Sequence, residues 1–245
     1  MSKADDYREI LRALDQWDSY LLQESGLPGP RGNLELAQVV ADEGNLELFL
    51  RYTAYTADQA PVNSPYEFLA FCGVVGLGRL LAEGNTPLLK TLRVHASDPR
   101  WRIREAVAMA LQRLGDVSVD HVIEATQAWS QGSPLEQRAA VAALCEPRLL
   151  VQAEHARAVL QILDGITASL AQVTNRRSDG FLALRKGLGY CWSVAVVALP
   201  DEGKALMERW LVTADKDIRW IMQENLKKKR LARMDSAWVK QWQRK

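Results

Sequence analysis

The chain has 245 residues, 31 basic and 30 acidic side chains for a formal net charge of +1, and 48% hydrophobic residues. That balance belongs to an ordinary globular protein and excludes disordered, fibrous and collagen-like classes. No uninterrupted apolar run approaches the roughly 20 residues of a membrane span, so no membrane association is expected, and the acidic, polar start MSKADDYREI is unlike a secretory signal, so a cytoplasmic location is expected.

In chain order, Asp5–Leu22 reads as one helix, with Ile10, Leu11, Leu14, Trp17 and Leu21 at helical spacing. The run Gly26-Leu27-Pro28-Gly29-Pro30-Arg31-Gly32 breaks it, because two prolines and three glycines cannot continue a helix. This is the clearest hinge or linker in the chain. A glycine-rich loop with one Arg could hold an anion, but the Gly-Lys-Ser/Thr ending of a P-loop is missing, so a structural connector is expected. Residues 1–32 are therefore taken as a capping helix and linker, and 33–245 as a single domain.

From Asn33 onward the pattern is helix pairs. Asn33 and Asn45 precede Leu34–Asp42 and Leu46–Tyr55 as N-caps should. Pro65–Ala82 follows and carries Gly73, Gly76 and Gly78 among Val and Leu. With no strand before them these are no dinucleotide fingerprint; glycines in a helix point to close approach of another helix. Thr86–Ala96 with Pro99–Leu114, Val119–Trp129 with Leu135–Cys145, Glu154–Val173 with Asp179–Leu199, and Glu202–Ala214 with Ile218–Leu231 complete the series, and Ala237–Gln243 trails as a short amphipathic end. Short loops, helical periodicity throughout and no credible strand predict an all-α protein.

Two of these helices share a pattern. DPRWRIREAVAMALQRL begins at Asp98 and DIRWIMQENLKKKRL at Asp217; at an offset of 119, Asp98, Arg100, Trp101 and Glu105 fall on Asp217, Arg219, Trp220 and Glu224. Gln137-Arg138 echoes the basic position at an offset of 33–34 without the Asp. An Asp in the turn, then an aliphatic, a basic residue and an alanine-rich helix resembles the second helix of a HEAT-type repeat. The resemblance covers about 85–231, weakens over 34–82 and is absent from 1–32. It implies a right-handed α-solenoid of about five to six helix pairs, a fold used by scaffolds, adaptors and nucleic-acid binders. It also implies a concave surface lined by the inner helices.

On a helical wheel Val107, Ala110 and Leu114 cluster within about 40° of Ile103, whereas Trp101 lies about 160° away. Trp220 likewise lies opposite Ile218, Met222 and Asn225. Either the two indoles bury against a neighbouring repeat with Arg100, Arg104 or Arg219 stacked on the ring, or they form flat platforms on the concave face, flanked by cations and suited to a peptide or an unstacked base. The helix from Asp179 is apolar nearly all round, so Trp192 is expected in the core, with Arg185 and Lys186 able to reach the concave groove.

Charge is unevenly spread. Residues 1–50 carry 4 basic and 10 acidic side chains, 51–218 carry 18 of each, and 219–245 carry 9 basic and 2 acidic. The basic run Lys227-Lys228-Lys229-Arg230, continued by Arg233, Lys240, Arg244 and Lys245, is either a solvated end complementing a helix dipole or a contact for phosphate or acidic groups. Pairing of the acidic end of one copy with the basic end of another would give self-association. Cys72, Cys145 and Cys191 are odd in number, widely spaced and in apolar surroundings, and are expected to be buried free thiols.

Catalytic patterns are thin. His95, His121 and His155 are scattered, with no HExxH, no CxxC and no GxSxG, so neither a metal nor a cofactor is expected. The leading expectation is a non-enzymatic scaffold or binding module for a macromolecule, foremost a protein or peptide, through Trp101, Arg104, Arg185, Arg219, Trp220, Lys227 and Arg230. The alternative is a nucleic-acid binder. A group of bacterial alkylpurine DNA glycosylases is built from HEAT-like repeats and holds damaged DNA with Trp, Asp and Arg on a cationic face. Trp101, Arg104, Arg185 and Trp220 are the same residue types in suitable helices, but none matches that family's site by position, so no catalytic role is carried over.

Overall fold

In a computed structural model, which describes residues 2–243, all regular structure is helical, with no strand among the described residues. Met1 and the last two cations of the basic run, Arg244 and Lys245, lie outside the described residues. The chain forms two compact units, Met1–Val117 and Ser118–Lys245. Unit 1 contains α1 (Lys3–Ala13), α2 (Asp18–Glu24), α3 (Leu34–Glu43), α4 (Leu46–Thr53), α5 (Pro65–Ala82), α6 (Leu88–His95) and α7 (Trp101–Val117). Unit 2 contains α8 (Val119–Gln127), α9 (Pro134–Leu144), α10 (Ala153–Ser169), α11 (Asp179–Ala198), α12 (Pro200–Leu211), α13 (Lys216–Leu226), α14 (Lys229–Met234) and α15 (Ser236–Gln243).

Unit 1 is built around α5. Ser64 caps it by accepting from Glu67 N, Pro65 sits in its first turn, and every residue from Glu67 to Gly78 is buried. Helices α3, α4 and α7 pack along it. Its glycines explain how closely: a Cβ on Gly76 would lie 2.3 Å from the Phe49 ring, and one on Gly78 would lie 2.4 Å from Ala110 Cα. Backbone is brought against ring and backbone there, which any side chain would prevent.

Unit 2 is built around α11, whose Phe181, Leu184, Leu188 and Trp192 are fully buried. Here α8, α10 and α12 contact one another in sequence, α9, α11 and α13 do the same, and each helix also meets its chain neighbour. A buried amide ties α11 to α13: Asn225 Oδ1 accepts from Ser193 N at 2.8 Å while its Nδ2 donates to Leu188 O at 2.8 Å. By length and composition α5 and α11 would each suffice to cross a bilayer, but 72% and 56% of those spans are buried in the structure, as core helices require. Cys72, Cys145 and Cys191 are free and buried.

Beyond shifts of one to three residues at helix ends, three segments differ from the sequence expectation. The expected helix Asp5–Leu22 is two, because Trp17 Nε1 donates to Leu11 O at 2.8 Å, taking a carbonyl the continuing helix would use. The separation lets α1 pack on α3 and α2 on α5. The expected helix Ile218–Leu231 is also two. Lys228 is extended (ψ 125°), and Gln243 Nε2 donates to Leu226 O, satisfying a carbonyl at the end of α13. The end of Glu154–Val173 is a short 3-10 turn, Leu170–Gln172.

Candidate functional site

The two sequence-matched tryptophans begin from different local geometry. Trp101 is the first residue of α7, whereas Trp220 is the fifth of α13. The cause is the residue two before each indole. Pro99 disfavours helical backbone at Asp98, so α7 cannot take in Asp98 as α13 takes in Asp217. Ile218 imposes no such restriction and is buried in the core. The aspartates diverge accordingly. Asp98 folds back on Arg100, with Arg100 Nη2 2.7 Å from its Oδ2, while α13 is capped by Asp215 and leaves Asp217 for other pairings.

The stacking partners also differ from the expected ones. Arg100 turns inward, 2% exposed, and donates to the Thr56 and Ala60 carbonyls. Arg104 Nη1 donates to the Asp98 and Pro99 carbonyls. Arg219 is exposed and stacks on neither ring. The guanidinium over Trp101 belongs to Arg102, 4.5 Å from the ring centroid, and the one over Trp220 belongs to Arg185, at 3.7 Å.

In unit 1, Arg102 is the centre of a buried network. Its Nη1 lies 3.0 Å from Oε2 of the fully buried Glu67, and its Nη2 donates to Gly29 O at 2.9 Å and to Asn63 Oδ1. Asn63, at φ 68°, accepts from Gly29 N through the same oxygen and donates its own N–H to Glu67 Oε2. The 26–32 loop, expected as a hinge or structural connector, is thereby tied to α5 and α7. Two atoms of the network stay without partners: Arg102 Nε and Glu67 Oε1. Beside it lies a cavity of about 300 Å³ walled by the loop, α3, α5 and α7, with Trp101, 46% exposed, on its lining.

In unit 2, four of the seven candidate residues, Arg185, Trp220, Lys227 and Arg230, border the face made by α11, α13 and the start of α14; Arg219 lies about 100° round α13 from Trp220, on the stripe of Gln223 and Leu226 that meets α15. Trp220 is half-buried because α11 carries glycine opposite it; a Cβ on Gly189 would lie 3.3 Å from Trp220 Cζ3. Arg185, over that ring, has Nε 2.8 Å from Asp217 Oδ1, and Arg176 joins Asp217 to Asp215 through contacts of 3.0 and 2.6 Å. These contacts, with the backbone N–H groups of Ile218 and Asp217, hold the Asp215 carboxyl below its usual range, Arg176 foremost. Next to Gly189 the ring of Tyr190, 44% exposed, has Arg230 at 4.5 Å and Lys228 at 5.8 Å, and Arg230 also donates to its hydroxyl. Lys227 pairs with Glu224. The face is thus a set of aromatic rings covered by cations, with the carboxylates of Asp217 and Glu224 set between.

Arg102 and Tyr190 were not among the residues singled out from the sequence. An arginine that will be buried reads like any other helix arginine, and the tyrosine gains its cations only when α14 folds back on α11. Five other indoles (Trp17, Trp192, Trp210, Trp238 and Trp242) donate their N–H groups within the fold, whereas those of Trp101, Trp220 and the buried Trp129 make no such bond among the described residues. No group of three or more His, Cys, Asp or Glu suited to a metal ion occurs among the described residues. No family model matches the sequence, and no curated protein matches it significantly.

Proposed function

We propose that the protein is a non-enzymatic binding module that holds an acidic segment of a partner protein on the face of unit 2 formed by α11, α13 and α14. Tyr190 and Trp220 would supply flat apolar contact, and Arg185, Lys186, Lys227 and Arg230 orientation by charge. The observation that carries this reading is the Tyr190 ring, exposed and covered by two cations, beside a second ring covered by Arg185. Cations over aromatic rings are partly desolvated already and bind carboxylates with a smaller solvation penalty. The carboxylates interleaved at Asp217 and Glu224 suit a mixed protein surface better than a uniformly anionic phosphate backbone. The proposal includes a right-handed HEAT-like solenoid over 33–245, capped by 1–32; the two sequential rows of helices within unit 2 favour it.

A second reading, nucleic-acid binding, draws on Arg219, Lys229, Arg233 and Lys240. These are exposed and make no ion pair among the described residues. Affinity capture from cells separates the two. With wild type and Tyr190→Ala/Arg230→Gln as baits, protein binding predicts a captured protein that survives nuclease and is lost with the double variant. Capture abolished by nuclease, or unchanged in the variant, refutes it.

A further inference from the structure

The cavity in unit 1 is separate from the unit 2 face and has the features of a small-ligand site. We infer that it binds a free carboxylic acid of about ten heavy atoms in all, with an apolar body and its carboxylate held by Arg102 and Arg31. At about 300 Å³ the space is at the small end of ligand sites, and at about 30 Å³ per heavy atom it accommodates roughly ten. Its walls are apolar: Leu27, Pro30, Leu34, Phe68, Phe71 and Met109. An all-polar ligand would lose its hydration there without compensation.

The polar groups on the lining select the head group. The Arg102 side chain is 9% exposed and its Nε–H is buried without an acceptor. A buried donor left so carries a desolvation penalty, which a ligand oxygen would relieve. Arg31, on the same lining, is exposed and makes no ion pair among the described residues. Glu105 also lines the cavity but is already engaged within the fold. One fixed N–H and one exposed guanidinium match the two oxygens of a carboxylate. A phosphate would leave further acceptors facing Phe68 and Phe71.

The site is built before any ligand arrives. Gly29 is held at both its N–H and its carbonyl, Asn33 N donates to Ser25 O at 2.8 Å across the loop, and Arg102 is fixed by Glu67. Preorganisation of this kind lowers the entropic penalty of binding.

The test uses the full chain and 3-phenylpropionate, followed by saturation-transfer NMR and titration calorimetry, against 3-phenylpropan-1-ol, inorganic phosphate and the peptide acetyl-Gly-Gly-Phe. The acid should bind, the alcohol at least about tenfold more weakly, and phosphate not detectably. The tripeptide, which shares the carboxylate and ring but carries extra chain, should also be at least about tenfold weaker. Arg31→Gln, at an exposed position that cannot disturb the core, should weaken the acid severalfold. Met109→Trp should abolish binding by filling the space, and Leu34→Glu at the exposed rim should do so by repulsion. The inference is overturned if the acid does not bind, if the alcohol or tripeptide binds as well, or if the Leu34→Glu protein, folded by circular dichroism, binds like wild type.

Discussion

Replacing Gly78 by alanine puts a methyl group where α5 meets the backbone of α7. The new Cβ would lie 2.4 Å from Ala110 Cα, 2.6 Å from its carbonyl oxygen and 2.7 Å from its Cβ. Carbon–carbon contact is comfortable at about 3.5–4.0 Å, so the helices must part by about 1 Å or more. No rotamer change helps, since the obstructing atoms are backbone and a first side-chain carbon. Overpacking of this kind costs about 3 kcal/mol at the upper end, while the better helix propensity of alanine returns about 1, leaving a net loss of about 2 kcal/mol. Gly165 is the control: it is in α10 and a Cβ there meets nothing within 4 Å. Gly165→Ala should therefore gain up to about 1 kcal/mol. Urea unfolding followed by circular dichroism reads both as shifts of midpoint at constant slope. A Gly78→Ala midpoint equal to or above that of wild type would refute the assignment of α5 as the tightly packed centre of unit 1.

Other outcomes follow from the same contacts. Arg102→Met leaves the fully buried Glu67 without its cation and should lose about 3–5 kcal/mol in urea unfolding, most of it recovered in Arg102→Met/Glu67→Met. Arg176 lowers the folded-state pKa of Asp215, so this carboxylate adds stability above its unfolded value of about 4, and that contribution fades as pH falls through the folded value. The deficit of Asp215→Asn, which keeps a capping side chain, should be constant over about pH 5–8 and shrink towards zero near pH 2; a pH-independent deficit would contradict this. Burial pushes the Cys72 and Cys145 thiols well above their usual range. Native protein should therefore react with a disulfide reagent on the order of 100-fold more slowly than protein unfolded in guanidinium, as thiol release measures directly.

What could be read from the sequence was mostly local. Asn33 and Asn45 accept from Leu36 N and Leu48 N, and α5 runs from Pro65 to Ala82 as its periodicity indicates. The α5 glycines announced close packing without saying against what. Features set by distant contacts were hidden. Nothing near Leu14 says that a helix must stop so that α1 can reach α3. The match of Asp98-Pro99-Arg100-Trp101 to Asp217-Ile218-Arg219-Trp220 concealed its one decisive mismatch, proline against isoleucine. The loop 26–32 reads as a hinge by composition, yet Arg102, more than seventy residues on, ties down Gly29. Of the candidate cations, Arg185 and Arg230 cover rings because α11, α13 and α14 meet, a meeting that helical spacing alone cannot foretell.

The most direct measurement of the proposed recognition surface is site-specific photocrosslinking in living cells. A benzophenone side chain replacing Lys186, exposed on α11 beside Arg185, is compared with one replacing Val151, which is 81% exposed outside that face. The proposal predicts a discrete protein adduct at 186 that disappears with Tyr190→Ala/Arg230→Gln and has no counterpart at 151. Equal adducts at both positions, an adduct that nuclease removes, or none at 186 would contradict it.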